Sequence, residues 1–342
     1  MLKEITFMML LFGQYAVLAI LTIYATNRAS HYIDELDNKT HISGALIGGV
    51  LLAIVTSLPE LITTLTSTLR LGNSGMAFGN VFGSNLFNLL ILATADLVFI
   101  KHLFFNRTES GKRTSHSILM MYLVFLLPVL LMRFGWLEMD AIGFTIGISF
   151  SLLSLLILII YFFSIRSLNK EVLQPKDKKE VTHSLRTIIT RFVIFSILIV
   201  VSGYFVTVVA EDLSMRLGMN ASFGGALFLG AATSLPELTA VFTLFKIKSY
   251  DIAIGNVLGS NTFNILIIAI VDFVNGDTDI FAVLKDDAEV FENLSLLLIL
   301  GFINSIMVLV ALVRKPPRNK ALYALPSIVV IISYLVYLAL SI

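Results

Sequence analysis

Apolar residues occur along this chain in long stretches that are separated by short polar segments. About 20 predominantly apolar residues are needed for a helix to cross the hydrocarbon core of a bilayer. The pattern therefore predicts an all-α membrane protein with ten transmembrane helices. The predicted spans are residues 5–26, 42–69, 73–99, 117–134, 139–165, 187–211, 220–245, 249–274, 292–313 and 321–341.

The longest polar connection lies at the middle of the chain, from Arg166 to Arg186. It contains the Lys, Glu and Pro residues that are typical of a solvated linker. Five predicted spans precede it and five follow it. We therefore expect a first repeat in residues 1–165, a cytoplasmic linker in residues 166–186 and a second repeat in residues 187–342.

Two polar phrases each occur twice inside the apolar stretches. The first phrase, Thr-Ser-Leu-Pro-Glu-Leu, stands at 56–61 and again at 233–238. The second phrase reads Gly-Asn-Val-Phe-Gly-Ser-Asn-Leu-Phe-Asn at 79–88 and Gly-Asn-Val-Leu-Gly-Ser-Asn-Thr-Phe-Asn at 255–264. Because the copies are five predicted crossings apart, they enter the membrane in opposite directions. This arrangement predicts two inverted five-helix repeats, as in many secondary transporters.

The positions of the basic residues agree with this topology. If the N-terminus is outside, most of the 24 Lys and Arg residues fall in or beside loops that face inward. That asymmetry follows the positive-inside rule. We therefore expect a multi-pass protein of an inner or plasma membrane, with both the N-terminus and the C-terminus on the extracytoplasmic side.

Composition excludes several other classes of protein. The chain is 57% hydrophobic and 14% charged, the profile of an integral membrane protein. A formal net charge of +1 disfavours nucleic-acid binding, and the absence of Cys excludes disulfides and thiolate chemistry. Neither phrase contains His, and the chain has no His-Glu-x-x-His zinc motif. We expect a protein that is not an enzyme and that needs no cofactor.

The first phrase combines a helix breaker with an acid. Pro59 and Pro236 lack an N–H, and each ring crowds the carbonyl four residues before it, so we expect a break in both helices. In hydrocarbon a freed carbonyl needs another partner, such as a hydroxyl, water or a bound cation. Glu60 and Glu237 stand beside the breaks. Carbonyl and carboxylate oxygens together suit Ca²⁺ and Na⁺, and costly intramembrane acids indicate a functional site.

The second phrase places polar residues four positions apart, so that they lie on one face of a helix. The two resulting stripes are Asn80, Ser84 and Asn88 in the first half and Asn256, Ser260 and Asn264 in the second. Glycines at 79, 83, 255 and 259 form small-xxx-small pairs, which predict close backbone approach. The two stripes and the two broken helices can enclose a site near the middle of the membrane.

Two further pairs of residues match between the halves, and each leaves alternatives open. Asn85 and Asn261 lie off the stripes and serve either helix packing or the site. Asp96 and Asp272 each follow the last Asn of the phrase by eight residues. They are either acids near a helix end that contact interfacial water or vestibule carboxylates on an ion path.

These phrases look like the two alpha-repeats of the cation/Ca²⁺ antiporter superfamily, here in residues 42–99 and 220–274. The chain resembles the sodium/calcium exchanger family in particular, over most of its length. The resemblance implies a secondary antiporter in the lipid bilayer that exchanges Na⁺ for Ca²⁺ by alternating access. It also implies that the first span of each half, 5–26 and 187–211, slides across the other eight. We expect the protein to be a monomer.

The resemblance further implies a set of ion ligands, taken over by motif position. Glu60 and Glu237 would bind Ca²⁺, together with the backbone carbonyls of Thr56 and Thr233. The flanking Na⁺ sites would use carbonyls near Ala53 and Gly230 and the side chains of Ser57, Ser84, Asn88, Ser234, Ser260 and Asn264.

Three positions depart from the family's pattern. Val55 and Ala232 stand where the family often has Gly, and Asn264 stands where relatives that also move K⁺ carry Asp. Asn264 therefore argues against K⁺ co-transport. Two alternatives to Na⁺/Ca²⁺ exchange remain: an antiporter of H⁺ against Ca²⁺ or another divalent cation, because burial disfavours ionised glutamates, and a passive cation channel.

Overall fold

The computed structural model describes residues 2–40, 42, 44–70, 72–106, 108, 111–136, 151–168, 181–217, 230–276, 280–281, 284, 287–315 and 319–341. Every regular element in these residues is helical. The segment α2 joins Gly44–Leu46, a π-helical stretch at Ile47–Leu52 and Ala53–Thr56. The other α-helices are α1 (Leu2–Lys39), α3 (Leu58–Leu69), α4 (Ser74–Val98), α5 (Lys112–Arg133), α6 (Leu152–Leu168), α7 (Leu185–Arg216), α8 (Gly230–Thr233), α9 (Leu235–Lys246), α10 (Tyr250–Asn275), α11 (Ala288–Val313) and α12 (Lys320–Ser341).

Most of the predicted membrane spans coincide with helices. Within the described ranges, seven helices are long and apolar enough to cross a membrane, and α2 with α3 forms an eighth candidate that is bent by 46°. The predicted fifth span is described only from residue 151, where α6 follows. The predicted seventh span is described only from residue 230, where α8 and α9 follow. Ten spans in two repeats therefore stay a prediction.

The first helix is longer than its hydrophobic pattern indicated. The predicted span ended at residue 26, but α1 continues to Lys39. Polar residues interrupt the apolar run there, yet Ile33 and Leu36 remain buried against the rest of the protein. An amphipathic extension of this kind is stabilised by packing, so hydropathy alone places the end of the helix too early.

Helices α1 and α7 form a pair at the edge of the protein. Near one end, Tyr32 stacks on Phe195 with ring centroids 5.9 Å apart. Further along, the hydroxyls of Thr22 and Ser202 lie 2.8 Å from each other. Large apolar side chains on the outer faces of both helices, such as Ile20, are exposed, as expected for a surface that faces lipid.

The breaks that proline predicts are present in both halves. Ser57 and Ser234 have backbone angles of φ −94°, ψ 6° and φ −86°, ψ 12°, which end the preceding helical segments. Pro59 and Pro236 stand in the first turn of α3 and α9. A missing N–H costs nothing at that position, because first-turn N–H groups have no partner within the helix. Each first phrase therefore places its Glu in the first turn after the break.

Helices α4 and α10, which carry the second phrases, are the most buried of the seven candidate spans in the described residues. The predicted close approach is confirmed at Gly259, where an added Cβ would lie 2.2 Å from the carbonyl oxygen of Gly49 in the π-helical stretch. No such close approach is present at Gly79 and Gly83, where an added Cβ has no described neighbour within 4 Å. One broken helix is thus packed backbone to backbone against α10.

Candidate cation-binding site

The ten predicted side chains are all fully buried, and hydrogen bonds connect the two halves through them. The hydroxyl of Ser57, at the first break, donates to Oε1 of Glu237 at 3.1 Å. The hydroxyl of Ser260 lies 3.3 Å from the same carboxylate oxygen. Glu237 is therefore bounded by the broken helix of the first half and by the polar stripe of its own half.

Thr56 lies at the centre of a second group of oxygen atoms. Its Oγ1 is 3.3 Å from each of three atoms: the carbonyl oxygen of Ala53, Oδ1 of Asn256 and Oγ of Ser260. The hydroxyl of Ser260 also lies 3.5 Å from the carbonyl of Ala53. These contacts join the end of α2 to the stripe on α10, as the sequence predicted.

The corresponding contact of the other stripe is present as well. Ser84 on α4 and Thr233 at the end of α8 have hydroxyl oxygens 3.3 Å apart. Thr233 also lies next to the Glu60 carboxylate, although neither oxygen of that carboxylate has a partner at normal hydrogen-bond geometry. Each first phrase therefore meets the stripe that belongs to the opposite half.

Several acceptor oxygens of the site have no donor. Both carboxylate oxygens of Glu60, Oε2 of Glu237 and Oδ1 of Asn88 are buried without a hydrogen-bond partner among the described residues. When both carboxyl groups are ionised, their like charges disfavour each other. In the part of the chain that the structure describes, neither Glu forms an ion pair. Buried acceptors without donors are costly, so this arrangement suits a bound cation.

The chemistry of these atoms indicates which cations fit. All the available groups are carboxylate, hydroxyl, amide or carbonyl oxygens, which are hard ligands suited to Ca²⁺ and Na⁺. No cluster of three or more His, Cys, Asp or Glu side chains occurs among the described residues. The arrangement thus differs from the His- and Cys-containing sites that bind zinc.

One stripe residue that matches in sequence lies in different surroundings. The amide of Asn256 is beside Thr56, but Asn80 donates to Oγ1 of Thr64 at 2.9 Å and approaches the carbonyl of Glu60 at 3.4 Å. Thr64 is not among the residues predicted from the sequence. Its position four residues after Glu60, on the same face of α3, is the signal that could have identified it.

The paired acids are both buried, which disagrees with contact to interfacial water, and their place on an ion path stays a prediction. Asp96 is fully buried and accepts hydrogen bonds from Tyr323 at 2.7 Å and Ser327 at 2.6 Å, both on α12. Asp272 is also buried and accepts from the backbone N–H of Ser151, just before α6, at 3.0 Å. Each acid thus holds the start of a helix from the opposite half, away from interfacial water.

The chain is similar to several known proteins. The sequence profile described as sodium/calcium exchanger protein matches residues 10–165 and 187–342. Inner membrane protein YrbG of Escherichia coli (strain K12) is 26% identical over 256 residues, which are 73% of this chain and 75% of that protein. Sodium/potassium/calcium exchanger 3 of Rattus norvegicus is 30% identical over 100 residues, 29% of this chain and 16% of that protein.

The fold is similar to that of a solved structure. The sodium-calcium exchanger NCX_Mj, soaked with 2.5 mM Na⁺ and 0.1 mM Sr²⁺, matches with a TM-score of 0.68 at 18% identity, over 97% of this chain and 99% of that one. The same exchanger soaked with zero Na⁺ and Ca²⁺ matches with a TM-score of 0.65 at 18% identity, over 97% and 98%. At this level of identity the likeness concerns the fold alone.

Proposed function

Since this chain belongs to the sodium/calcium exchanger family, we propose that it is a secondary antiporter that exchanges Na⁺ for Ca²⁺. The observation that carries the proposal is the pair of buried carboxylates, Glu60 and Glu237, with unpaired oxygen atoms. They come from opposite halves of the chain, and their negative charges disfavour each other when both are ionised. A cation between them removes both the repulsion and the cost of the unpaired oxygens.

In this proposal the predicted residues divide into two groups. Glu60 and Glu237 bind Ca²⁺ with the carbonyls of Thr56 and Thr233. The flanking Na⁺ ions are bound by the remaining oxygen ligands, which are Ser57, Ser84, Asn88, Ser234, Ser260 and Asn264. Support comes from the shared hydrogen bonds, because Ser57 and Ser260 both contact Glu237. Na⁺ and Ca²⁺ would therefore compete for overlapping ligands.

Charge explains why such a site exchanges ions instead of leaking them. Two ionised carboxylates carry two negative charges, which one Ca²⁺ or two Na⁺ ions can balance. A site without its cations would keep an uncompensated buried charge, which is strongly unfavourable. Movement of the site between the two sides of the membrane is then favoured only when ions occupy it, so the flux of one ion is coupled to that of the other.

The proposed architecture has ten spans in two inverted repeats, residues 1–165 and 187–342, joined by a cytoplasmic linker. Both termini are extracytoplasmic, and the protein acts as a monomer. Alternating access would arise from movement of the α1–α7 pair. The pair contacts the first break closely, since a Cβ on Gly203 of α7 would lie 2.7 Å from Cγ of Pro59, so a movement of the pair would act directly on the site.

H⁺/Ca²⁺ antiport is the second candidate, and the same pair of glutamates favours it. Two carboxylates that repel each other in a buried site can also be neutralised by protons. In that case the proton gradient, and not the Na⁺ gradient, would drive Ca²⁺ movement. The same glutamates would bind Ca²⁺ when it is transported in one direction. They would be protonated when the site returns in the other direction.

Reconstitution of the purified protein into liposomes tests the proposal. Ca²⁺ uptake is measured with Na⁺, K⁺ and H⁺ gradients imposed one at a time, and without any counter-ion gradient. We expect uptake only with an outward Na⁺ gradient. Uptake that depends on the pH gradient alone would replace Na⁺ by H⁺ as the counter-ion, and uptake without any counter-ion would identify a channel.

A further inference from the structure

Asn85 and Asn261 form a reciprocal pair between α4 and α10. The amide nitrogen of Asn85 donates to the backbone carbonyl of Asn261 at 3.1 Å, and the amide nitrogen of Asn261 donates to the backbone carbonyl of Asn85 at 3.1 Å. Both side chains are fully buried. The pair therefore fixes the relative position of the two helices that carry the stripes.

Asn261 makes one more hydrogen bond, and this bond reaches a proposed ion ligand. The amide nitrogen of Asn88 donates to Oδ1 of Asn261 at 3.0 Å. In a side-chain amide the acceptor oxygen and the donor nitrogen lie in one plane, on opposite sides of the carbonyl carbon. With its nitrogen directed to Asn261, Asn88 has an Oδ1 that accepts no hydrogen bond from any described residue. The contact thus selects the orientation in which an oxygen atom, and not an N–H, is available for a cation.

The second half lacks the matching bond, although its phrase is nearly identical. Asn264 occupies the position that corresponds to Asn88, and neither its Oδ1 nor its Nδ2 has a partner among the described residues. Oδ1 of Asn85, the counterpart of the acceptor that Asn261 offers, accepts no bond from Asn264 among the described residues, and the Asn85 side chain lies beside the hydroxyl of Tyr122. One stripe ends in an oriented amide and the other in an unrestrained one.

We propose that Asn261 is a positioning residue that holds the Asn88 amide with its oxygen towards the bound cation, whereas Asn85 joins the helices without a bond to an ion ligand. This inference rests on the proposed function, because it takes Asn88 as an ion ligand. A ligand that is already oriented loses less conformational freedom on binding. Without Asn261, the Asn88 amide can rotate and present its N–H to the cation, which weakens binding.

The pair offers a matched control. Asn261→Ala and Asn85→Ala each remove one of two equivalent bonds between the helices, at equal burial, but only Asn261→Ala releases Asn88. Binding of Ca²⁺ and of Na⁺, each added alone, is measured on the purified full-length protein by calorimetry, beside the unfolding temperature without ions. We expect similar losses of unfolding temperature. We expect cation binding about tenfold weaker in Asn261→Ala than in Asn85→Ala, equivalent to about 1.4 kcal/mol.

A double-mutant cycle with Asn88→Ala separates positioning from a general loss of structure. If Asn261 acts through Asn88, Asn261→Ala weakens binding no further once Asn88 is Ala. Equal effects of Asn261→Ala and Asn85→Ala, or additive effects in the cycle, would overturn the inference. If Asn261→Ala does not fold, Asn261→Ser replaces it in the cycle, since a serine hydroxyl is too short to reach the Asn88 amide.

The readout also distinguishes this inference from the proposed function. Each cation is added without a gradient or a counter-ion, so the positioning effect on Ca²⁺ affinity can be scored whichever ion drives transport. Ca²⁺ binding with Na⁺-independent transport would overturn only the choice of counter-ion. A wild-type protein that binds neither Ca²⁺ nor Na⁺ would overturn both.

Discussion

Ser57 donates a hydrogen bond to Oε1 of Glu237 at 3.1 Å, so a hydroxyl at the break of the first half contacts the carboxylate of the second. The two residues are 180 positions apart in sequence. They meet because each broken helix ends beside the polar stripe of the opposite half. The duplicated phrases therefore form one site instead of two separate ones.

Replacement of Ser57 by Ala should weaken cation binding about tenfold. The change removes a donor that supports the ionised form of Glu237, and a hydrogen bond to a charged group contributes about 1.5–3 kcal/mol. The measurement is the apparent affinity for Na⁺ and Ca²⁺ in proteoliposome exchange. Ser67→Ala is the control, because Ser67 lies on α3, the helix that follows the break, and its hydroxyl donates to the carbonyl of Thr63 at 3.0 Å. Wild-type affinities in Ser57→Ala would contradict a role for the contact in the site.

Gly203→Ala should slow exchange while cation binding is retained. The new methyl group would lie 2.7 Å from Cγ of Pro59, at the contact where α7 has to pass the first break if the α1–α7 pair moves. Maximal exchange rate and equilibrium Ca²⁺ affinity are measured on the same preparation. Val201→Ala, at an exposed position of α7, serves as the control. An unchanged rate in Gly203→Ala would argue against movement at this contact.

Gly259→Ala should destabilise the fold by about 3 kcal/mol, the upper end for overpacking, because the added Cβ would meet backbone that cannot rotate away. It would lie 2.2 Å from the carbonyl oxygen of Gly49. Thermal unfolding in detergent checks the loss. Gly79→Ala is the control from the other second phrase, where no described atom lies within 4 Å of the added Cβ. Equal stability of the two variants would show that α2 and α10 do not require this approach.

Asp96→Ala should lower stability by about 2–4 kcal/mol without a change in the ratio of Na⁺ to Ca²⁺ affinity. It leaves the buried hydroxyls of Tyr323 and Ser327 unpaired, each at a cost of about 1–3 kcal/mol. Asp96→Asn keeps an acceptor and should lose less. Unfolding temperature and ion affinities are compared for both variants. A changed affinity ratio at unchanged stability would place Asp96 on the ion path.

The helical breaks could be predicted from the sequence, and candidate ligands could be named from it. The prolines predicted a break in each helix, and the structure has these breaks at Ser57 and Ser234. The four-residue spacing predicted that Ser84 and Ser260 lie on polar stripes, and in the structure these stripes meet the breaks. Both signals are local, so they can be read without knowledge of which helices are neighbours. Site roles for these residues stay predictions until ions are bound or transported.

Contacts between distant helices could not be predicted in the same way. Periodicity identifies the face of a helix but not the group that lies opposite, so the partners of Asp96 on α12 were not foreseen. Identical phrases also lie in unequal surroundings, since Asn80 bonds Thr64 whereas Asn256 lies beside Thr56. The end of α1 at Lys39 depends on packing of residues beyond the apolar run.

The most direct test is Na⁺-gradient-driven uptake of radiolabelled Ca²⁺ by proteoliposomes that contain Glu60→Gln or Glu237→Gln. Each substitution removes one of the two buried negative charges that the proposed site needs and preserves side-chain size. Asp96→Asn, which neutralises a buried acid outside the site, is the matched control, and the unfolding temperature verifies that each variant is folded. We predict that both Glu variants lose uptake while Asp96→Asn retains it. Normal uptake by a folded Glu60→Gln or Glu237→Gln protein would contradict the account.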